Sequence, residues 1–442
     1  MILMVVGGGG REHALIKKLS ENPQVEKIYA LPGNAGIGAD IGKAECVAIK
    51  ATDLNAICHF AQARHIDFAV VAPDDPLALG LVDRLAVLGI MSFGPTGRAA
   101  MIESSKAWAK ALMQKYQIPT AAYAVFSDAA AALAYVRRQS YPLVLKADGL
   151  ALGKGVFIAA DQAEAEQAVD QLMNQGKFGP AGAKIVIEEY LTGPEVSVLA
   201  FTDGKIVKPL VSAMDHKQAY DGGRGPNTGG MGAVAPNPYY TPEIASLCME
   251  RIFQPTIAAM AAEGRPFRGC LYFGLMLTAA GPKVIEYNCR FGDPETQAVL
   301  PLLETDLLAV MEACSRGRLQ DLEVRFKEGA CCCLVLASDG YPAAYQSGFP
   351  IRRGDLGDAA VYWAGVAGDG RGGLITAGGR VLGVSVVRET LAQAVADAYA
   401  FSENIDFANK YYRHDIGGQA LAALDAAAKN ISEKNNGLSD LY

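Results

Sequence analysis

Over the first ~100 residues, short apolar runs alternate with helical stretches, and that alternation is the strongest constraint on the fold. "ILMVVG" reads as a strand, and "REHALIKKLSEN" as a helix with Ala14, Leu15, Lys18 and Leu19 on one side. "KIYALPGN" follows as strand and turn, "DLNAICHFAQARH" as a helix and "IDFAVVAP" as a strand. Strands separated by helices of ~10–15 residues pair in parallel, because each crossover carries the chain back to its starting edge. A parallel, doubly wound α/β sheet is therefore expected at the N-terminus. With 442 residues the chain is too long for one ordinary domain, and about three are expected.

The pattern then changes. A helix is expected from Ser104 to Ile118, stopped by Pro119. Next comes a small unit of three strands, "AYAVF", "PLVLKAD" and "VFIAA", with helices "DAAAALAYVRRQ" and "DQAEAEQAVDQLMNQ", compact enough to move as a lid. "AKIVIEEYLTGPEVSVLAFTDGKIVKPLV" reads as a run of strands, with the turn "TDG" joining an antiparallel pair. Asp221 to Ala233 holds six glycines in thirteen residues, and no regular structure is expected there. A helix from about Pro242 to Glu263 leads into two more strands. The C-terminal stretch contains the apolar "CCCLVLAS", further strands, a helix at "ETLAQAVADAYAF" and a polar tail, "KNISEKNNG", expected to fray.

Charge and composition exclude several classes. A formal net charge of −7 with no long basic run argues against nucleic acid held through its phosphates. No apolar run approaches the ~18 residues of a membrane span. "MILMVVGGGG" lacks the basic start of a signal peptide and reads as a strand entering a turn. Cys331, Cys332 and Cys333 are adjacent in a strand, so they alternate between faces and cannot share one metal. They read as reduced core thiols of a cytoplasmic protein.

Polar residues concentrate at the ends of apolar elements. In "KVIEYNCRFGDPETQ", Glu286 and Asn288 are two apart on a strand, so both point to one face. Two hard oxygen ligands so placed suit Mg²⁺, which takes its remaining ligands from phosphate and water. Arg290 offers a two-pronged donor for a carboxylate or phosphate, and Asp293 and Glu295 lie in the following turn. "GGGGREHA" is either a tight turn or an anion site at a helix N-terminus; it lacks the dinucleotide glycine spacing. "KADGLALGKGV" places Lys146 at a strand end and Lys154 between Gly153 and Gly155. It is either a loop that closes over phosphates or a hairpin with two surface lysines. In "IVIEEYLTGPEVSV", Glu188 and Glu189 face opposite ways, strand pairing loosens after Tyr190 and Leu191, and Glu195 could accept from a ribose. The loop "DHKQAYDGGRGPNTGGMGA" carries Asp215, His216, Lys217, Asp221 and Arg224, either lining solvent or cradling a substrate.

Taken together, "GGGGREHAL", "ESSKAWAK", "KADGLALGKGV", "IEEYLTGPEVSV", "DHKQAYDGGRGPNTGGMGA", "YFGLML", "IEYNCRFGDPETQ" and "GGRVLGV" resemble the glycinamide ribonucleotide synthetase family of the ATP-grasp superfamily, from Met1 to about Gly417. The resemblance implies a pre-ATP-grasp domain (1–104), an ATP-grasp module (105–325) with a mobile lid at about 122–187, and a C-terminal α+β domain (326–430). It implies ATP, with Mg²⁺ or Mn²⁺ on Glu286 and Asn288, and a monomer acting on glycine and 5-phosphoribosylamine. Lys106 and Lys146 would meet phosphates, with the glycine-flanked Lys154. Glu188, Tyr190 and Leu191 would meet adenine, and Glu195 the ribose. Arg290, Asp293 and Asp215 are the candidates for catalysis. The implied chemistry is amide formation through a glycyl phosphate. Another ATP-grasp carboxylate activator, such as a bicarbonate-using carboxylase, shares the general motifs but not "GPNTGGMG" or "RFGDPETQ". Two departures stand out: "APDDPL" has Asp74 where the family usually has Glu, and Trp363 stands where the family has His.

Overall fold

The computed structural model describes residues 1–150 and 155–439. The N-terminal part is a five-stranded, all-parallel sheet. Its order places Ala44–Cys46 at one edge, then Lys27–Pro32, Ile2–Gly7, Phe68–Val71 and Met91–Phe93. The chain thus starts in the middle of the sheet and winds outward both ways, as the strand–helix alternation predicts.

A four-stranded antiparallel sheet forms the unit expected as the lid, ordered Tyr123–Phe126, Ile185–Glu189, Leu143–Ala147, Val156–Ala159. Two helices, Ala129–Val136 and Gln162–Val169, cover it. Its apolar residues, among them Val136, Leu145 and Ile187, form a core of their own. The rest of the molecule is more fused. One core runs continuously through Leu3, Leu199 and Cys331, from the N-terminal sheet to the C-terminal one. The small unit is thus packed around its own core, separately from the fused body.

The central sheet runs antiparallel, in the order Val207–Pro209, Glu195–Thr202, Gly269–Thr278, Gly281–Asn288. Ala330–Ser338 is the buried spine of the six-stranded C-terminal sheet, with Arg380–Arg388 on one side and Gly232–Ala235 on the other. Cys331 and Cys333 join one core and Cys332 the opposite one, as strand alternation requires. All nine cysteines are free thiols.

Four local expectations need correction. The helix expected from Ser104 to Ile118 is two helices, Gly97–Ser104 and Lys106–Lys115. Ser105 between them is extended (φ −136°, ψ 104°), and its Oγ accepts from Trp108 N at 3.2 Å as an N-cap. The glycine-rich loop is not wholly irregular: Gln218–Tyr220 pairs with Arg224–Asn227, and Gly232–Ala235 enters the C-terminal sheet. Glycine permits this because Gly225 (φ 83°) and Gly230 (φ 109°) need left-handed backbone, and a Cβ on them would strike Tyr220 and Pro294. The helix from Pro242 carries a π-helical turn, Met249–Phe253, before it resumes at Gln254, because Pro255 brings no N–H to an α-helical bond. The tail expected to fray belongs to a helix, Gly418–Ser439, propagated from its alanine-rich first turns.

Candidate active site

A cavity of about 980 Å³ opens between the lid sheet, the end of the strand Gly281–Asn288, the glycine-rich loop and the C-terminal sheet. The N-terminal part adds Arg11, Asp74 and Glu103 to its wall, and the C-terminal part adds Tyr341, Arg380 and Arg413. Every layer of the protein therefore reaches one space.

The strand end is shaped by a β-bulge. Gly274 pairs with Glu286 and Leu275 with Val284, which leaves Ile285 as the extra residue. Strict alternation would put Val284 on the same face as Glu286. The bulge instead sends Val284 and Tyr287 into the core while Glu286 and Asn288 line the cavity. It also frees the Ile285 carbonyl, which accepts from Lys146 Nζ at 3.1 Å.

Among the described residues, the Glu286 carboxylate makes no hydrogen bond or ion pair, and Asn288 Oδ1 has only a long contact, 3.4 Å, from Arg290 Nη2. Burial pushes the Glu286 carboxyl up, but Lys217, Lys146, Lys106 and Arg290 outweigh it and hold it below the usual carboxylate range. An ionised, unpaired carboxylate beside an amide oxygen is a donor set that fits a hard divalent cation. No described group of three or more His, Cys, Asp or Glu side chains forms a self-sufficient cage, so such an ion would rely on phosphate and water for its other ligands.

Lys106 begins its helix, and its Nζ donates to the Gly149 carbonyl at 2.8 Å. Burial lowers its pKa against the pull of Glu286, and the nearby Lys146 lowers it further. Glu188, assigned to adenine by resemblance, has its carboxylate elsewhere: Oε2 lies 2.8 Å from Lys110 Nζ and Oε1 lies 3.0 Å from Lys146 Nζ. All three side chains are at most 5 % exposed. The Lys146 contact is an ion pair without hydrogen-bond alignment, so Oε1 has no aligned donor. Burial draws the Lys110 pKa down to about 8 despite Glu188. Pairing with two ammonium groups takes the Glu188 carboxylate away from a base edge.

Tyr190 and Leu191 lie just beyond the ladder that ends at Glu189, and neither makes a backbone hydrogen bond among the described residues. Both line the cavity. Glu195 is half-exposed, with Oε2 2.9 Å from Lys217 Nζ. Gly155 accepts from Ala147 N at 2.8 Å; Gly153 and Lys154 lie outside the described residues.

Arg290 has spent part of its guanidinium. Nη1 donates to the Phe291 carbonyl at 3.0 Å, Nη2 lies 3.4 Å from Glu103 Oε1, and Nε is buried without a partner among the described residues. Asp293 has both oxygens engaged, by Arg380 Nη2 at 2.9 Å and by Gln297 Nε2 at 2.7 Å. Asp215 Oδ1 is shielded and unpartnered. Burial and then the neighbouring Glu295 push its carboxyl well above the usual range. Glu295 accepts from Ser197 Oγ at 3.2 Å, and Ser197 shares a 2.8 Å hydrogen bond with Tyr272. At the glycine turn, Glu12 Oε2 takes the Gly9 N–H at 2.6 Å while Oε1 holds Arg11 Nε at 2.6 Å, so that amide is already capped from within the chain.

Lys110, Glu103, Arg380 and Arg413 were not singled out by sequence reasoning. Glu103 and Lys110 lie within "ESSKAWAK" and Arg380 within "GGRVLGV", and Lys110 sits four residues after Lys106, hence on the same helix face.

Comparison with known proteins covers the same three layers. Family models for phosphoribosylglycinamide synthetase match with the N domain at residues 1–103, the ATP-grasp (A) domain at 104–296 and the C domain at 331–419. The chain is 46% identical over 418 residues to a phosphoribosylamine–glycine ligase of Caldanaerobacter subterraneus, covering 94% of this chain and 99% of that protein. It is 43% identical over 440 residues to one from Pasteurella multocida, covering 99% and 100%. The solved phosphoribosylamine–glycine ligase of Thermotoga maritima superposes with a TM-score of 0.83 at 32% identity, covering 94% of this chain and all (100%) of that one. A biotin carboxylase domain from Hydrogenobacter thermophilus, solved with MgADP and bicarbonate, reaches a TM-score of 0.71 at 17% identity over 93% and 91% of the chains, a likeness of fold.

Proposed function

The chain belongs to the phosphoribosylglycinamide synthetase family, and from that premise we propose that it joins glycine to 5-phosphoribosylamine at the expense of ATP, releasing glycinamide ribonucleotide, ADP and phosphate. The observation that carries this reading is Glu286: an unpaired carboxylate at the cavity, next to Asn288, surrounded by Lys106, Lys146, Lys217 and Arg290. A lone carboxylate among so many cations suits a metal-bound polyphosphate.

A carboxylate is a poor acyl donor because oxide would have to leave. Glycine's carboxylate oxygen therefore attacks the γ-phosphorus in line. The bond to the β–γ bridging oxygen breaks, and ADP leaves with its electron pair. The amine of phosphoribosylamine then attacks the carbonyl of glycyl phosphate, the C–O bond to phosphate breaks, and the amine gives up a proton. Bound Mg²⁺ or Mn²⁺ would supply charge neutralisation on the transferring phosphate, held by Glu286 and Asn288. Lys106 and Lys146 hold phosphate oxygens. The free backbone groups of Tyr190 and Leu191 meet the adenine edge, and Glu195 the ribose. Arg290, whose side chain lines the cavity, orients the glycine carboxylate. Asp215, raised by burial, is the acceptor for the amine proton. Asp293 acts through Arg380. The lid unit closes over the nucleotide and excludes water from the acyl phosphate. We read the protein as a monomer, and nine thiols without a disulfide suit the cytoplasm.

The test is isotopic. Glycine labelled with ¹⁸O in its carboxylate is expected to deliver one label to the released phosphate. Unlabelled phosphate would rule out the acyl phosphate, and ADP release that depends on bicarbonate instead of glycine would turn the assignment to a carboxylase.

A further inference from the structure

Three buried ions meet where the lid joins the body. Lys110 comes from the helix Lys106–Lys115, Lys146 and Glu188 from the lid sheet. An ammonium has three donors. Lys110 spends one in a hydrogen bond to Thr120 Oγ1 at 2.8 Å, and its Nζ lies 2.8 Å from Glu188 Oε2 as an ion pair. Thr120 Oγ1 donates in turn to the Val284 carbonyl at 2.7 Å, which ties Lys110 to the bulged strand. Lys146 spends one, to the Ile285 carbonyl at 3.1 Å, and only touches Glu188 Oε1 without alignment. Each lysine thus faces one oxygen of the same carboxylate and both line the cavity, and it is Oε1, on the Lys146 side, that has no hydrogen-bond donor among the described residues, which leaves the Lys146 ammonium with donors to spare.

The charge count has a meaning as well. One carboxylate between two ammonium groups leaves a surplus of one positive charge in a nearly solvent-free place. Lys106 stands close enough to be disfavoured by Lys146. Buried like charges repel, and such a surplus persists where an anion is due to arrive. Were Lys110 absent, Glu188 would have Lys146 as its single cation. The pair would close into an aligned ion pair, and the surplus would vanish.

We propose that Lys110 is a positioning residue for nucleotide binding: by neutralising Glu188 it keeps the Lys146 ammonium available to a nucleotide phosphate. The proposal rests on the reading of the cavity as an ATP site. It differs from simple fastening of the lid to the body, in which Lys110 would matter equally for every nucleotide and Glu188 would be its necessary partner.

Binding measured by titration calorimetry separates these cases, using ADP with Mg²⁺ and, in parallel, adenosine, which lacks phosphate. Lys110→Met is expected to weaken ADP at least ~10-fold and adenosine less than ~2-fold, since a committed Lys146 loses only its phosphate contacts. Adding Glu188→Gln to Lys110→Met removes the carboxylate that captures Lys146 and is expected to restore ADP binding to within ~3-fold of wild type. Lys110→Arg, which keeps the charge, is expected to bind ADP like the double variant. Equal losses for ADP and adenosine, or a double variant weaker than the single one, would overturn the proposal. If the single variant fails to fold, the double variant alone decides, because it keeps the wild-type surplus of one positive charge and leaves no carboxylate to capture Lys146; ADP binding more than ~10-fold weaker than wild type then counts against the idea. Wild-type protein that binds neither ligand would refute the ATP-site reading itself, and the proposal with it.

Discussion

Arg380 Nη2 and Asp293 Oδ2 lie 2.9 Å apart although 87 residues separate them. The same guanidinium donates from Nη1 to the Asp293 carbonyl at 2.9 Å and to the Gly229 carbonyl at 2.6 Å. One C-terminal side chain therefore holds both the glycine-rich loop and the turn after the strand Gly281–Asn288. Its neighbour Arg413 does the same further along, gripping Asp415 with two donors and the Gln218 carbonyl with a third.

Arg380→Met should accordingly disconnect the two segments. Removing one partner of a mostly buried pair costs about 2–4 kcal/mol, and misplaced substrate groups should lower kcat/KM by at least ~100-fold. Arg380→Lys should recover only part of this, because an ammonium cannot reproduce the planar fork. Thermal melting with steady-state kinetics checks both; a Met variant with wild-type kcat/KM would show that the loop is held by other contacts.

Glu286→Gln keeps the side-chain shape and removes the charge. Turnover is expected to fall by at least ~100-fold, with melting temperature unchanged or raised, because the native carboxylate has no partner to lose among the described residues. Near-normal turnover would move the metal-holding role away from Glu286.

Arg290→Lys retains charge but not the fork. Nη1 serves the Phe291 carbonyl and Nη2 lies 3.4 Å from Glu103, so the guanidinium is held at the cavity wall by contacts that a lysine cannot reproduce together. The KM for glycine is expected to rise by ~10-fold or more, with the KM for ATP much less affected. Equal effects on both would make Arg290 a structural residue only.

Acid should loosen the glycine-rich loop through His216. Its Nε2 accepts from Gly417 N at 3.2 Å and its Nδ1 faces the Gly232 carbonyl at 3.2 Å, which makes Nδ1 the protonated nitrogen. Burial, then Arg413, lowers its pKa to about 4. The unfolded chain, near ~6.5, therefore takes up the proton first as pH falls. Stability contributed by neutral His216 is present above ~6.5 and is lost progressively down to about 4, amounting to up to ~3 kcal/mol. Chemical denaturation between those limits should show the slope, and His216→Gln should flatten it. A slope unchanged in that variant would assign the acid sensitivity to another group.

Sequence alone was enough to place several features, and each is local. Glu286 and Asn288 share a face because side chains alternate along a strand, and the parallel N-terminal sheet follows from strands spaced by helices. The release of Tyr190 and Leu191 from the ladder follows from Gly193 and Pro194 just beyond. The break at Ser105 was missed because "ESSKAWAK" is helical by propensity, while its cap depends on Asp148 in the lid, whose carboxylate takes Ser105 Oγ–H at 3.0 Å and Ala107 N–H at 2.8 Å.

Tertiary structure decided what each charge is for. Glu188 looks equally able to meet a base or a lysine until Lys110 and Lys146 close on it, and Asp293 looks like a reactive carboxylate until Arg380 and Gln297 take both oxygens. The bulge at Ile285, which turns Glu286 and Asn288 away from Val284, has no local signature. Alternation, glycine turns and proline stops act between near neighbours along the chain, so a sequence displays them. A buried charge takes its role from whichever opposite charge the fold brings within about 3 Å, where weak screening makes that one neighbour dominate, and the neighbour can come from anywhere in the chain.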